Sequence, residues 1–244
     1  MTKRLENRLA LVTGASRGIG YALARAFARE GAHVVALART VGGLEELDDE
    51  IQAMGGSATL VPVDLKDVEA LDRLGGQIHE RWGKLDIFAA NAGVLGRLTP
   101  LGHLKAKEWD EVMAVNVTAN WRLVRSLDPL LRASDAGRAI FLSSGAAHKC
   151  KAYWGAYSVS KAALEALART YAAEVATTPV RVSIVNPGAT RTAMRARAMP
   201  GEDPETLPTP AEVADTLIPL AEPGLGVNGG LYDFADGRLT IRSA

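Results

Sequence analysis

The chain has 244 residues, of which 48% are hydrophobic and 23% are charged, a balance typical of a globular protein. Its 28 basic and 28 acidic side chains cancel, which argues against nucleic acid or an anionic membrane as the main partner. The single cysteine, Cys150, excludes an intrachain disulfide and a thiolate metal cage, and the four histidines lack the spacing of metal ligands, so no metal site is predicted. No apolar run has the length of a secretory leader core or of a membrane span, so we expect a cytoplasmic protein.

Apolar runs and helical periodicities alternate from one end of the chain to the other. Short, continuously apolar runs predict seven strands, at Leu9–Thr13, His33–Leu37, Ala58–Val63, Leu85–Ala90, Arg138–Leu142, Val180–Val185 and Leu231–Phe234. Apolar residues that recur every three or four positions predict helices between these strands, among them one long helix around Val112–Leu131. The last helix begins with Thr209 as N-cap, Pro210 at its first position and Glu212 to complete a capping box.

Strands that are apolar throughout, each followed by a helix, predict a parallel sheet covered by helices on both faces. The composition contains no linker-like stretch, so we expect residues 1–244 to form one α/β, doubly wound domain with a seven-stranded parallel sheet. The exception is Arg191–Pro210, where four prolines and Gly201 argue against any regular element. This stretch is predicted to be a loop or lid over the substrate.

A glycine-rich turn connects the first predicted strand to the first predicted helix. It reads TGASRGIG over Thr13–Gly20. Glycines let the backbone turn tightly and approach a pyrophosphate, which is stabilised by the positive end of the following helix. Because the motif stands between a strand and a helix, it predicts a dinucleotide site rather than a purely structural turn.

The residue after the second strand bears on which dinucleotide is bound. Folds that prefer NAD usually place an acid there, to bind the 2′-hydroxyl of the adenosine ribose. This chain has Ala38 and Arg39 instead, with no carboxylate until Glu45. Arg39, assisted by Arg17 in the glycine turn, suits a 2′-phosphate, so NADP(H) is favoured and NAD(H) stays possible. The alternative is that both are solvated surface arginines.

A tyrosine and a lysine are spaced for acid–base chemistry. Tyr157 and Lys161 stand four residues apart, on one face of a predicted helix. A free phenol titrates near pH 10, too high for a general acid or base at neutrality, and a neighbouring cation favours the phenolate and lowers the phenol pKa. Ser144 ends the fifth strand thirteen residues earlier, where its hydroxyl can donate to a substrate oxygen. Structural roles, as a helix-surface ion and a strand-end serine, are the alternatives.

These motifs, in this order and together with the Asn91-Ala92-Gly93 turn after the fourth strand, resemble the short-chain dehydrogenase/reductase family over essentially the whole chain. The resemblance implies a Rossmann fold and hydride transfer between a nicotinamide and a carbonyl or secondary alcohol. It implies that the catalytic residues are Asn116, Ser144, Tyr157 and Lys161. The cofactor-binding residues that it implies are Gly14, Ser16, Arg17, Gly18, Ile19, Gly20, Arg39, Asp64, Leu65, Asn91, Ala92, Gly93, Tyr157, Lys161, Pro187, Gly188, Thr190 and Thr192.

The same resemblance gives several of these residues separate tasks. Asp64 would meet the adenine, Asn116 would position a water for the proton relay, and Lys161 would also bind the nicotinamide ribose. Backbone at Thr190 and the side chain of Thr192 would hold the carboxamide. The segment Trp154–Tyr157, with Asn186–Pro200 and the following Glu-Asp-Pro, looks most like the YciK-like bacterial subgroup of the family.

The substrate and the partners are less constrained by the sequence. Basic residues cluster in two loops predicted to flank the site, and either attract an anionic or carrier-linked substrate or are simply solvated. They are Lys149, Lys151, Arg191, Arg195 and Arg197. Trp154 is expected to form a wall of the pocket. The resemblance implies a homodimer or homotetramer through the helices near Val112–Leu131 and Tyr157–Val175. A non-catalytic NADP-binding regulatory or scaffold protein on the same fold is the alternative function.

Overall fold

A computed structural model of the chain describes residues 3–235 and 237–241. The strands in this part of the chain are β1 (Leu9–Thr13), β2 (His33–Ala38), β3 (Ser57–Pro62), β4 (Ile87–Ala90), β5 (Arg138–Leu142), β6 (Arg181–Asn186), β7 (Gly230–Ala235) and β8 (Arg238–Ile241). The α-helices are α1 (Gly18–Arg29), α2 (Val41–Ala53), α3 (Val68–Trp82), α4 (Ala106–Met113), α5 (Ala119–Ala133), α6 (Ala146–Lys149), α7 (Gly155–Glu174), α8 (Ala193–Ala198) and α9 (Pro210–Ala221).

All eight strands form one sheet, in the order β3-β2-β1-β4-β5-β6-β7-β8. The pairs from β3 to β7 are all parallel, which confirms the predicted α/β class, the seven predicted strands and their parallel arrangement. The prediction of seven strands in total was one short, because β8 pairs antiparallel with β7 at the edge of the sheet. Most of its side chains are exposed, so β8 has no apolar run that would predict a strand.

The two faces of the sheet are covered by two separate apolar layers. Successive residues of β1 contribute to opposite layers, since Ala10 and Val12 pack with α1, α2 and α9, whereas Leu9 and Leu11 pack with α3, α5 and α7. Side chains of a strand point alternately to the two faces, so a strand covered on both faces is apolar at every position. All five residues of β1 are accordingly buried, and the predicted doubly wound arrangement is confirmed.

The long helix predicted around Val112–Leu131 is interrupted. The α-helix α4 ends at Met113, a π-helical segment spans Ala114–Thr118, and α5 begins at Ala119. A π-helical turn widens the backbone by one residue without breaking the helix axis, so the apolar periodicity gives no sign of it. Such segments occur often at functional sites, and this one contains Asn116.

The expectation of no regular element in Arg191–Pro210 was wrong. Helix α8 forms there, with the Thr192 hydroxyl accepting a hydrogen bond from the Arg195 N–H at 3.2 Å, and a 3₁₀ turn spans Pro204–Thr206. All four prolines of the stretch follow α8, so they limit its length without entering it.

The order of the strands places a crevice beside β1. The chain moves outward from β1 to β2 and β3, then returns to β4 on the other side of β1. Helices that follow β1 and β4 therefore depart to opposite faces, and the carboxyl ends of these strands border an open crevice where ligands of such sheets bind. No helix within the described residues combines the length and the apolarity needed to cross a bilayer.

Candidate active site

The glycine turn after β1 is held very close to the turn after β4. Gly14 has φ +68°, and a Cβ at this position would lie 3.0 Å from Cα of Ala92. A Cβ at Gly20 would lie 2.3 Å from Nδ2 of Asn91 and 2.4 Å from the carbonyl oxygen of Gly14. Any side chain at Gly20 would therefore push the first turn of α1 away from the glycine turn.

Thr13 and Asn91 connect the carboxyl ends of β1 and β4. The Thr13 hydroxyl accepts hydrogen bonds from the N–H groups of Asn91 and Ala92, both at 3.1 Å, and donates to the carbonyl of Ala89 at 3.3 Å. The Asn91 amide in turn donates to the Thr13 carbonyl at 2.9 Å. The Asn-Ala-Gly turn is thus joined by hydrogen bonds to the start of the glycine turn.

The N-terminus of α1 is suited to an anion. Arg17 occupies the N-cap position, and no side chain caps the first N–H groups of the helix. Across the crevice, Thr192 stands so that a Cβ built on Gly18 would lie 3.5 Å from its Cγ2. The segment after β6 therefore faces the glycine turn, while Ser16 and Ile19 are half-buried beside it. Within the same segment, the buried Thr190 donates to the carbonyl of Pro187 at 3.1 Å.

Arg39 extends from the end of β2 into solvent. Its side chain is 69% exposed, and its Nη1 lies 3.7 Å from a carboxylate oxygen of Asp64. Asp64 also accepts from the N–H of Lys66 at 2.9 Å, which fixes the turn after β3. The neighbouring Leu65 is half-buried against the core. Arg39 and the exposed Arg17 follow the neighbouring strands β2 and β1.

Three side chains predicted to act together are in one place. Tyr157, in the first turn of α7, is only 8% exposed, and the Ser144 hydroxyl lies close enough to act on the pKa of its phenol. Lys161 lies one turn further along α7, with its Nζ 5.8 Å from the centroid of the Tyr157 ring and donating to the carbonyl of Leu142 at 2.7 Å. The ring of Trp154 stands 6.0 Å from that of Tyr157, so it borders the same site.

The charge states of this group differ in one respect from the sequence prediction. A lowered pKa was predicted for Tyr157, but burial raises the pKa of the phenol, and the hydrogen bond from Ser144 opposes that shift only partly. Lys161 contacts the face of the ring rather than the hydroxyl. Burial also lowers the pKa of Lys161 to about 8, against the opposing charge of Glu165.

Asn116 connects three segments beneath the site. Its side chain accepts from the N–H of Val94 at 2.8 Å, and donates to the carbonyl of Val94 and to the hydroxyl of Ser160, both at 2.9 Å. A Cβ built on Gly93 would lie 3.3 Å from Oδ1 of Asn116 and 3.4 Å from Nζ of Lys161. A side chain at position 93 would therefore fill the space that adjoins both predicted catalytic residues.

The sequence did not reveal several polar side chains that hold the Ser144 segment. The buried Glu165 accepts from Ser143 at 2.6 Å and pairs with His148 at 2.9 Å. Asn186 accepts from the N–H of Gly145 at 2.9 Å, linking the segments after β5 and β6. An acid on the buried face of α7, four residues after Lys161, was the available signal for Glu165.

The basic cluster around the site is partly neutralised. Arg191 pairs with Glu205 at 3.0 Å, and Arg195 pairs with Glu202 through both its Nε and its Nη2. Both acids lie in the segment that follows α8. Two of the five basic residues are therefore balanced within their own loop, which weakens the case that they attract an anionic substrate.

The crevice fits a dinucleotide. It offers an uncapped helix N-terminus next to a glycine turn, which suits a pyrophosphate, and a glycine at position 93, where any side chain would crowd Asn116 and Lys161. Among the described residues, no cluster of three or more His, Cys, Asp or Glu side chains is placed to hold a metal ion.

A family model described as short chain dehydrogenase matches residues 8–203, which is most of the chain. The chain belongs to the short chain dehydrogenase family. This membership confirms the predicted family and the prediction of an NAD(P)-dependent oxidoreductase.

Individual relatives show which members of the family the chain resembles. The oxidoreductase YciK of Escherichia coli K12 is 41% identical over 212 residues, covering 86% of this chain and 84% of YciK. A solved short chain dehydrogenase from Shigella flexneri 2a, complexed with NADP, is 37% identical, superposes with a TM-score of 0.91 and covers 96% of this chain and 99% of that one. An NAD-dependent oxidoreductase of Mycobacterium tuberculosis is 35% identical over 257 residues, covering 93% of each chain. The predicted resemblance to YciK-like members is confirmed.

Proposed function

We propose that this protein is an NADP(H)-dependent reductase or dehydrogenase that interconverts a carbonyl and a secondary alcohol, with Tyr157 as the general acid and base. The observation that carries the proposal is the grouping of three side chains: the Ser144 hydroxyl lies close enough to Tyr157 to lower its pKa, and the Nζ of Lys161 lies 5.8 Å from the centroid of the Tyr157 ring. Two hydroxyls so placed bracket a substrate oxygen, one to orient it and one to exchange a proton with it.

Each side chain has a definite task in this proposal. The Ser144 hydroxyl donates to the substrate oxygen and holds it near Tyr157, whose own hydroxyl gives up its proton during reduction. Lys161 restores that proton, and Asn116, which adjoins Gly93 together with Lys161, would position a water that resupplies Lys161. When bound, the nicotinamide supplies the hydride acceptor or donor, so the protein contributes position and proton transfer.

Because Tyr157 is buried, its phenol needs the nearby positive charge of Lys161 in order to lose its proton. Since burial raises the phenol pKa, reduction is favoured in this state, where the hydroxyl stays protonated at neutral pH. In alcohol oxidation the phenol must lose its proton, which requires the ammonium of Lys161 close to the ring. The rate of alcohol oxidation therefore depends on the charge of Lys161.

Several residues support binding of NADP(H). Arg39 and Arg17 supply guanidinium groups at the adenosine end, where a 2′-phosphate needs charge-assisted donors. The NADP complex of the Shigella flexneri relative favours the same cofactor, whereas the Mycobacterium tuberculosis relative is named NAD-dependent. Asp64 would contact the adenine, and the segment from Pro187 and Gly188 to Thr190 and Thr192 would hold the carboxamide.

The decisive experiment combines binding and turnover. Tyr157→Phe removes one hydroxyl from a buried ring, so NADPH affinity should change less than about twofold while turnover falls by roughly 10²–10⁴-fold. Activity is measured as NADPH oxidation with a panel of aldehydes and ketones, and affinity by NADPH fluorescence. Equal loss of affinity and turnover would contradict the assignment of Tyr157. A wild-type protein that binds NADPH but reduces no carbonyl would favour the non-catalytic alternative.

We further propose that the protein forms a homodimer or homotetramer through the surfaces of α4, α5 and α7. Large apolar side chains are exposed on two of these helices, Trp121 on α5 and Val159 on α7. Sedimentation velocity at micromolar concentration tests this, with Trp121→Glu expected to lower the molecular mass. A monomeric wild type would rule the proposal out.

A further inference from the structure

Glu165 is a buried carboxylate that the proposed chemistry does not use. Its residue is only 1% exposed, yet it has three side-chain partners. It accepts from the Ser143 hydroxyl at 2.6 Å, and lies 2.9 Å from Nε2 of His148 and 3.3 Å from Nη1 of Arg169. A charged group is costly to bury, so these contacts stabilise a carboxylate where an apolar side chain would pack more simply.

Two of the partners lie at the two ends of one short segment. Ser143 directly follows β5, and its N–H donates to the carbonyl of Val185 at 2.7 Å. His148 lies in α6, five residues further on. Ser144 stands between them, so the carboxylate of Glu165 fixes both ends of the segment that carries this predicted catalytic hydroxyl. Without it, the segment would be held to α7 by fewer contacts.

Glu165 also lies one helical turn beyond Lys161, on the same face of α7. Burial lowers the pKa of the Lys161 ammonium to about 8, and the charge of Glu165 acts against that shift. The charged and titratable groups that face this pair are Tyr157 and Arg169 on α7 and His148 on α6. The end of β5 faces the pair with the neutral hydroxyl of Ser143, and Asn116 of the π-helical segment lies near Lys161 beside Gly93.

We propose that Glu165 is a positioning residue of the active site, which holds the Ser144 segment against α7 and keeps Lys161 cationic. This proposal rests on the proposed function, because it assigns Ser144 and Lys161 their roles in proton transfer. It separates two effects of one side chain. The hydrogen bond to Ser143 acts on geometry, and the negative charge acts on the protonation of Lys161.

Three substitutions separate the two effects. Glu165→Gln keeps the size but removes the charge, Glu165→Asp keeps the charge on a shorter side chain, and Ser143→Ala removes one hydrogen bond without touching the charge. The exposed Glu174, near the end of the same helix, gives a matched control as Glu174→Gln. For each variant, kcat and KM for carbonyl reduction by NADPH are measured between pH 6 and pH 10.

The charge effect is expected in the pH profile. With Glu165→Gln, loss of the carboxylate charge lowers the pKa of Lys161, so the alkaline limb of kcat/KM moves to lower pH by roughly one pH unit. Glu165→Asp should restore the limb, whereas Ser143→Ala and Glu174→Gln should leave it in place. A merely structural Glu165 would lower activity or stability without moving the limb. An unmoved limb in active Glu165→Gln would overturn the charge assignment.

The geometric effect is expected in turnover and in amide exchange. Ser143→Ala should lower kcat roughly tenfold with KM for NADPH unchanged. Hydrogen–deuterium exchange of residues 143–150 should accelerate in Ser143→Ala and Glu165→Gln, and not in the Glu174 control. This readout needs no substrate, so it also decides the case in which Glu165→Gln is inactive. Unchanged exchange in both variants would overturn the positioning role. A wild type that reduces no carbonyl would instead count against the proposed function.

Discussion

Replacement of Arg39 by alanine tests the cofactor preference most directly. The Arg39 side chain is 69% exposed, and its pairing with Asp64 at 3.7 Å is that of a surface ion pair, worth at most about 1 kcal/mol after solvent screening. Arg39→Ala should therefore fold as the wild type does, with little change in the free energy of unfolding. Any loss of cofactor affinity can then be assigned to the lost guanidinium itself.

The expected loss is specific to NADPH. A charge-assisted contact to the 2′-phosphate contributes about 1.5–3 kcal/mol, so the Kd of NADPH should rise roughly ten- to a hundredfold. Asp64 adds to this effect, because without Arg39 its carboxylate has lost a balancing cation and repels the phosphate. NADH has no 2′-phosphate, and its Kd should change less than about twofold.

Fluorescence titration or calorimetry with both cofactors measures the two affinities. Arg73→Ala is a matched control, since Arg73 is another exposed arginine in a surface ion pair, 3.5 Å from Glu69 on α3. The control should retain the wild-type preference. Equal binding of NADH and NADPH by the wild type would refute the reasoning from the end of β2, and an unaltered preference in Arg39→Ala would move the phosphate contact to another side chain.

Substitutions at three further sites, with Gly76→Ala as a control, test other parts of the structure. Gly20→Ala should weaken NADPH binding at least tenfold, because its Cβ would lie 2.4 Å from a backbone oxygen. Gly76 has open space around it, so Gly76→Ala should be neutral or stabilise α3 by up to about 1 kcal/mol in thermal melts. Burial raises the pKa of Asp86, but its hydrogen bonds from neighbouring donors outweigh this and the net pKa lies below 3.8. The stabilisation by Asp86 is therefore present above the unfolded pKa of about 4 and is lost as pH falls through the folded value. Asp86→Asn should lower the free energy of unfolding at pH 7 and reduce its loss at acid pH, as measured by urea unfolding at a series of pH values. A variant whose free energy of unfolding falls with acid as steeply as that of the wild type would contradict this. Arg138 is buried and donates to four backbone carbonyls, so Arg138→Met should reduce the free energy of unfolding by about 2 kcal/mol in urea, and an unchanged midpoint would mean that those carbonyls find other donors.

The sequence predicted the sheet well because its strands are apolar on both faces. Each run in β1 to β7 is distinct from the helical periodicity around it, and only strand ends shifted, by one or two residues. The two elements that the sequence did not predict, β8 and α8, lack such an apolar run. β8 has only four residues, two of them polar, along an exposed edge, and α8 is too short to show a periodicity before the prolines begin.

The candidate site, too, was predicted only in part. Motif spacing placed Ser144, Tyr157 and Lys161 correctly on the end of β5 and on α7, and the structure brings them together. Spacing says nothing about burial, which reverses the predicted direction of the pKa shift at Tyr157. It is equally silent on Glu165, whose partners Ser143 and His148 are distant in sequence and meet it only through the fold.

The hydrogen bonds of Thr13 and Asn91 also bear on the thermodynamics of cofactor binding. Because they already join the glycine turn to the turn after β4, the pyrophosphate would meet a backbone whose conformation is set before binding. Little conformational entropy would then be lost on that side, which favours affinity without rearrangement. Beyond Asn186, the segment after β6 makes hydrogen bonds within itself instead, between Thr190 and Pro187 and between Arg195 and Thr192. The protein segment that becomes more ordered on binding would therefore be the one at the nicotinamide end. The two ends of the cofactor would then bind with different entropy changes.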